Sequence, residues 1–125
     1  MRKEFSVHWK ASEKARKQRK YRFQSPLHVK RRILSSNLSK ELRKKIGKRS
    51  VPLRKDDTVR IMTGEFKKQK GKISEVSRHK MKVYIEGIQK QKKDGTKVNI
   101  PFDPSNLQIT ELAEDKKRVF RKEEK

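Results

Sequence analysis

Residues 56–76, DDTVRIMTGEFKKQKGKISEV, hold the pattern that decides the fold. Val59 and Ile61 alternate with polar neighbours, which predicts a short strand that runs on to Gly64. A basic loop follows, and the chain re-enters a strand after Gly71. Glycines at both ends of the loop permit tight turns and close approach of another part of the backbone. The stretch therefore predicts a hairpin that projects four lysine side chains, at Lys67, Lys68, Lys70 and Lys72.

The strand pattern recurs towards the carboxyl end of the chain. Apolar and polar residues alternate over residues 81–86, 98–102 and 107–110, with turn signals between these runs. Lys93-Asp94-Gly95-Thr96 predicts a hairpin whose glycine takes a positive φ. About five short strands in roughly 55 residues fit a mostly β fold, a small closed barrel. Closing the barrel would remove the exposed edges that a small open sheet leaves.

Helical signals lie upstream of this region. Ser25 and Pro26 predict a helix start, with the serine as N-cap and the proline at the first helical position, followed by a partial apolar face over residues 27–34. Leucine and isoleucine at four-residue spacing, including Leu38, predict a second helix over residues 39–46 that ends at Gly47. Residues 1–24 combine basic and aromatic side chains without an apolar stripe, so we expect them to be disordered without a partner.

Charge is the strongest constraint on function. The 125 residues carry a formal net charge of +23, and only 30% of them are hydrophobic. Residues 1–55 hold 20 Lys/Arg and 3 acidic residues, a net charge of +17, whereas residues 56–125 hold 18 and 12, a net charge of +6. A chain this basic repels itself, and a dense polyanion best offsets that repulsion. Nucleic acid is therefore the first expected partner.

Other classes of protein find little support in the sequence. No segment is apolar for long enough to cross a membrane, and the first residues lack the apolar core of a signal peptide. There is no cysteine, which excludes disulfides and thiolate metal sites. Three widely separated histidines do not have the spacing of zinc ligands, and no phosphate-binding glycine motif is present. We therefore expect neither a metal nor any other cofactor, and no enzymatic activity.

The adjacent carboxylates Asp56-Asp57 could form an acid/base site or a metal site. Because the pair directly precedes a predicted strand, we interpret it as a turn cap that accepts hydrogen bonds from backbone N–H groups. Trp9, Tyr21 and Phe23 leave two alternatives open. They can stack on unpaired bases, or they can pack on the barrel or on a neighbouring protein.

Residues 54–59 (RKDDTV), 63–64 (TG) with Lys67, 71–73 (GKI) and 83–87 (VYIEG) resemble the KOW motif. More narrowly, the chain resembles the KOW-containing protein family of the large ribosomal subunit, in its archaeal and eukaryotic form. The upstream segments that carry this likeness are 17–20 (KQRK), 25–28 (SPLH), 31–32 (RR), 38–43 (LSKELR) and 49–54 (RSVPLR). Segments 92–95 (KKDG) and 104–107 (PSNL) extend it, so the resemblance covers about residues 15–118.

The resemblance implies a function and a division of the chain. It implies an SH3-like KOW barrel over residues 51–112, a basic extension with two short helices over 1–50 and a charged tail over 113–125. It further implies a structural constituent of the large ribosomal subunit that binds ribosomal RNA near the 5′ region, acts in early assembly and lies near the nascent-chain tunnel exit. The expected partners are that RNA and neighbouring ribosomal proteins, in the cytoplasm, without self-association or membrane insertion. The alternative is a KOW-type transcription-elongation or RNA-processing factor.

The basic residues expected to contact RNA fall into three groups. On residue types alone, the hairpin lysines would equally suit a solvated turn; the family resemblance favours RNA contact. The extension contributes Arg16, Lys17, Arg19, Lys20 and Arg22. The segment with the two predicted helices, which leads into the barrel, contributes Arg31, Arg32, Arg43, Lys48, Arg49 and Arg54. The barrel contributes Lys67, Lys68, Lys70, Lys72 and Arg78, with Gly64 and Gly71 as structural loop glycines.

Lys68 departs from the family pattern, which usually has glycine at this position of the loop. If the position requires a positive φ, lysine costs on the order of 1 kcal/mol there. Either the loop geometry differs from that of the family, or contact between the added charge and RNA offsets the cost.

Overall fold

The computed structural model describes residues 5–114, and strands outnumber helices in this range. The helices are α1 (Ala15–Gln24), α2 (Leu27–Ile33) and α3 (Lys40–Ile46), with single 3-10 turns at Val7–Ala11 and Pro104–Asn106. The strands are β1 (Ser35–Leu38), β2 (Ser50–Pro52), β3 (Thr58–Ile61), β4 (Lys70–Ser77), β5 (Lys82–Ile85), β6 (Gln89–Gln91), β7 (Lys97–Asn99) and β8 (Leu107–Glu111). Within residues 5–114, every helix is too short or too polar to cross a bilayer.

Six strands form one mixed sheet, in the order β2-β1-β8-β3-β4-β5, while β6 and β7 form a separate hairpin. Strands β1 and β8 are parallel, and the other neighbours are antiparallel. A β-rich domain is therefore confirmed, but the end strands β2 and β5 are not neighbours, so pairing of the described strands does not close a barrel. Strands β1 and β2 instead extend the sheet beyond β8. Pairing with β1 therefore covers the edge that β8 would otherwise expose.

Strand β1 lies outside the region that the sequence predicts to be β, and β2 begins one residue before that region. Leu38, predicted on the apolar face of a helix, is fully buried in β1 and lies opposite Ile109 of β8. Ser36 lies opposite Val51 of β2, and its hydroxyl donates to the carbonyl of Pro104 at 2.5 Å. The segment between the two predicted helices thus contributes to the same core as the downstream strands. That core contains Leu34, Leu38, Val51, Leu53, Val59, Ile61, Ile73, Val83, Ile85, Ile88, Phe102, Leu107 and Ile109.

The second predicted helix is confirmed, whereas the predicted start of the first is displaced. The Ser39 hydroxyl accepts from the Leu42 N–H at 3.4 Å, and Gly47 ends α3 with φ +76°. In α2, however, Pro26 is the N-cap and lacks a capping side chain. Ser25 instead ends α1, because both its N–H and its hydroxyl donate to the carbonyl of Tyr21.

The downstream strands follow the predicted alternation with two differences at their ends. Met81 precedes β5 in a turn with φ +56°, and Phe102 lies beyond β7 in an isolated bridge to Val83. The predicted hairpin between β6 and β7 is confirmed, with φ +92° at Gly95. The carboxylate of Asp94 accepts the Thr96 N–H at 3.0 Å in this turn, which lowers the pKa of Asp94.

The amino-terminal segment has more regular structure than its composition predicts. Residues Val7–Ala11 form a 3-10 turn and Ala15–Gln24 form α1, whereas the composition of residues 1–24 predicts disorder without a partner. Neither element contains a buried residue, so neither contributes to the core. Most of the predicted charged tail, residues 115–125, lies outside the described residues, as do residues 1–4.

Candidate nucleic-acid interface

The β3–β4 hairpin presents the first group of basic side chains. Two backbone hydrogen bonds close its loop: the Lys68 N–H donates to the carbonyl of Ile61 at 2.8 Å, and the Ile61 N–H donates to the carbonyl of Gln69 at 2.9 Å. Lys67 and Lys68 lie on the resulting projection, and both are exposed. The loop thus holds two cations away from the sheet on a hydrogen-bonded frame.

Lys68 takes a left-handed conformation, with φ +74°. The loop therefore has the geometry that suits glycine, and a different loop geometry does not explain the lysine. A non-glycine residue in this region costs about 1 kcal/mol or more, because Cβ approaches the following carbonyl. The backbone is strained at a residue whose side chain is exposed and charged.

The two loop glycines serve different purposes. Gly64 has φ +94° with open space around it, so its role is conformational. Gly71 lies within β4 opposite Val59, on the core-facing side of the strand. A Cβ atom there would lie 2.5 Å from Cγ2 of Ile85, so Gly71 is required for close packing.

The loop is shorter than the sequence predicts, because β4 begins at Lys70. Lys70 and Lys72 are therefore on the strand, where they alternate with Gly71 and Ile73 and are exposed. They form a basic face beside the projection instead of part of its tip.

A cleft of about 350 Å³ gathers basic residues from three distant segments. Arg31 comes from α2, Arg54 from the segment before β3, and Arg78 from the segment after β4. Lys55 also lines this basic cleft, and Glu75 is its one carboxylate, which leaves four cations against one anion. Arginine side chains converging on a concave surface suit phosphate, because the planar guanidinium binds its oxygens in a bidentate manner. The remaining lining residues are Leu34, Leu53, Ser74 and Val76.

Lys55 is the residue of the basic cleft that the sequence prediction missed. It directly follows Arg54 and precedes Asp56, so it has the same sequence signal as its predicted neighbour. Only the packing of α2 and β4 around this turn shows that both cations face the same cleft.

The other predicted cations differ in how exposed they are. Arg32 and Arg49 are exposed, as are the five cations of α1. Arg43 and Lys48 are half-buried, and the Nε atom of Arg43 is buried without a hydrogen-bond partner among residues 5–114. Arg43 is therefore less accessible than the exposed cations of the same group predicted to contact RNA. The α1 cations are Arg16, Lys17, Arg19, Lys20 and Arg22.

A family model that describes the eukaryotic ribosomal protein L26 and its archaeal counterpart matches residues 12–125 of the chain. The chain belongs to this family. It is therefore a structural protein of the large ribosomal subunit, part of the ribonucleoprotein that carries out translation. Its partners in the ribosome are ribosomal RNA and other ribosomal proteins. The recognised family is thus confirmed, including its archaeal and eukaryotic type.

The carboxylate pair of this ribosomal protein has a structural role. Asp57 is fully buried, and its two oxygens accept the backbone N–H groups of Arg54 at 3.0 Å and Ala113 at 2.8 Å. The predicted turn cap is therefore confirmed, and it also fixes the chain that leaves β8. Asp56 is exposed, with φ +72°. Across residues 5–114, no three histidine or carboxylate side chains come together as metal ligands.

The aromatic residues of the amino-terminal segment lie in two different places. Phe23 is 82% exposed, and the ammonium of Lys30 lies 6.0 Å from its ring centre. Trp9 and Tyr21 instead line a second cleft, together with Phe5. The sequence treated Trp9, Tyr21 and Phe23 as one set, whereas the structure groups only two of them.

Proposed function

We propose that this ribosomal protein binds large-subunit ribosomal RNA mainly through phosphate contacts, with the basic cleft as the central docking site. The convergence of Arg31, Arg54 and Arg78 on one concave surface carries the proposal. The cationic residues of a solvated charge run are neighbours in the sequence. These three arginines come from separate segments, so the fold itself brings them together. Because each guanidinium can bind a phosphate by two hydrogen bonds, the cleft fixes the position of an RNA backbone as well as attracting it.

The hairpin and the extension supply further contacts in this proposal. Lys67 and Lys68 reach outward from the loop, while Lys70 and Lys72 form the adjacent exposed face of β4. Helix α1 carries cations and no acidic residue, so it adds attraction with little specificity. Contacts of this kind recognise the shape of folded RNA and its backbone more than its base sequence.

The finer parts of the proposal rest on the family to which the chain belongs. We propose binding near the 5′ region of the large ribosomal RNA, a role in early subunit assembly, and a position near the nascent-chain tunnel exit in cytoplasmic ribosomes. The proposed architecture is an SH3-like barrel over residues 51–112, a basic extension over 1–50 and a charged tail over 113–125. The protein acts as a monomer without cofactor or catalytic activity.

The dependence of RNA affinity on salt tests the phosphate contacts. Neutralisation of about eight phosphates predicts that log K falls with log salt concentration with a slope of about −6 to −7. The measurement is a fluorescence-anisotropy titration of labelled ribosomal RNA fragments at several salt concentrations. A slope near −1 would contradict the proposal.

Location in the ribosome is tested separately by sucrose-gradient sedimentation of a cell lysate. The chain should migrate with large subunits, and this migration should survive moderate salt. Migration with an RNA polymerase in place of large subunits would contradict the proposed role.

A further inference from the structure

A second cleft, also of about 350 Å³, lies between the 3-10 turn Val7–Ala11 and helix α1. We call it the aromatic cleft, because Phe5, Trp9 and Tyr21 all line it. The rings of Phe5 and Tyr21 pack together, with centroids 5.1 Å apart and planes tilted by 41°. Trp9 remains 55% exposed, so this indole presents free surface to the cleft. The remaining lining residues are His8, Ala11, Ser12, Lys17 and Lys20.

Packing within the chain does not account for the aromatic cleft. Neither the 3-10 turn nor α1 contains a buried residue, so Trp9 and Tyr21 are not part of the core. Exposing an indole to water is unfavourable, since apolar surface gains free energy on leaving water. A folded segment that gathers three rings around an open cleft has the form of a binding site, and its volume is in the usual range of about 300–1,000 Å³.

Two lysines indicate which kind of ligand the aromatic cleft takes. Lys17 and Lys20 line the cleft beside the rings, and α1 contains no acidic residue. An apolar side chain of a neighbouring protein would use the rings and gain nothing from the lysines. A nucleotide uses both features, because its base stacks on an aromatic face while its phosphate pairs with a cation.

We infer that the aromatic cleft binds an unpaired base of RNA, which stacks on Trp9 while the adjacent phosphate contacts Lys17 or Lys20. This inference rests on the proposed RNA binding and adds a base-binding site to it. It assigns Trp9 and Tyr21 to base recognition and excludes Phe23, which lies outside the cleft. The extension would then anchor to a single-stranded nucleotide, whereas the basic cleft holds the backbone.

Trp9 is the only tryptophan of the chain, so its fluorescence reports on this site alone. The full chain is titrated with a single-stranded oligoribonucleotide and, separately, with an abasic strand of equal length. Stacking should quench the indole emission with the base-bearing strand and leave it nearly unchanged with the abasic strand. Anisotropy of a labelled strand measures total binding in parallel.

Variants separate stacking from charge. Trp9→Leu should weaken binding of the base-bearing strand about tenfold, which corresponds to about 1.4 kcal/mol and lies within the range for stacking of one base. Trp9→Phe retains an aromatic face and should retain most of the affinity. Phe23→Leu is the matched control, because it removes an exposed ring of α1 outside the cleft and should bind as the unmodified chain does.

The outcomes distinguish this inference from the proposed function. Salt-dependent RNA binding with unchanged Trp9 emission and an unaffected Trp9→Leu variant would overturn the base site while leaving phosphate binding intact. The aromatic cleft would then belong to a neighbouring protein. Equal quenching by the base-bearing and abasic strands would also overturn it. Absence of salt-dependent binding to any RNA would overturn the proposed function and the inference together.

Discussion

Ile85 fills the space that a side chain on Gly71 would occupy. A Cβ atom on Gly71 would lie 2.5 Å from Cγ2 of Ile85 and 3.3 Å from the carbonyl oxygen of Glu86. Gly71 pairs with Val59, so this contact links β3, β4 and β5 at the point where the basic hairpin leaves the sheet. The direction of the hairpin therefore depends on a packing contact in the core.

Replacement of Gly71 by alanine should destabilise the domain. The added methyl forces Ile85 or the β5 backbone to move, and overpacking of this kind costs about 1–3 kcal/mol in the free energy of unfolding. Urea denaturation followed by circular dichroism measures the change. In an Ile85→Leu background, which lacks Cγ2, Gly71→Ala should cost less. An equal cost in both backgrounds would contradict the packing explanation.

Lys68→Gly should stabilise the domain and weaken its binding to RNA. Glycine relieves the strain at φ +74°, which raises the free energy of unfolding by about 1 kcal/mol. Lys68→Ala is the matched control, because it removes the same charge and keeps the strain. Both variants should reduce the steepness of the salt dependence by about 0.7–0.9 if Lys68 contacts one phosphate. Equal stability of the two variants would contradict the strain, and an unchanged slope would remove Lys68 from the interface.

Asp57→Asn should destabilise the domain, whereas Asp56→Asn should have little effect. The buried Asp57 carboxylate accepts two backbone N–H groups, and an amide would turn an NH₂ group towards one of these donors. Losing a hydrogen bond to a charged group costs about 1.5–3 kcal/mol. The exposed Asp56 has a positive φ, which asparagine tolerates well. Urea denaturation of both variants tests this difference, and equal effects would show that the cap is not the cause.

The sequence predicts elements whose signal is local. Strand β3 is predicted correctly because Val59 and Ile61 are both buried on one face of the strand. The alternation of apolar and polar residues in the sequence shows this burial pattern directly. Strand β1, SSNL, gives no such signal, since none of its residues is β-branched or aromatic and asparagine is depleted in strands. It forms because Leu38 pairs with Ile109, 71 positions away in the chain, and no local pattern records that contact.

The sequence predicts which basic residues contact RNA, but it does not predict how these residues are arranged in space. Composition and family resemblance predict that Arg31, Arg54 and Arg78 contact RNA. Their convergence depends on the packing of α2 and β4 around the turn before β3, which is a tertiary property. The sequence predicts strain at Lys68 only if the position requires a positive φ. It shows that lysine replaces the usual glycine, but it does not show the value of φ.

Neutralising the basic cleft should weaken RNA binding more than neutralising an equal charge elsewhere. The triple variant Arg31→Gln, Arg54→Gln, Arg78→Gln removes three candidate phosphate contacts, so the slope of log K against log salt should become less steep by about 2–3. Salt titrations by anisotropy measure this, with urea denaturation to show that each variant is folded. The matched control replaces three exposed lysines in and around the β6–β7 hairpin by glutamine: Lys92, Lys93 and Lys97. Its slope should change by less than about 1; equal changes in both variants would mean that affinity follows net charge and that the cleft has no special role.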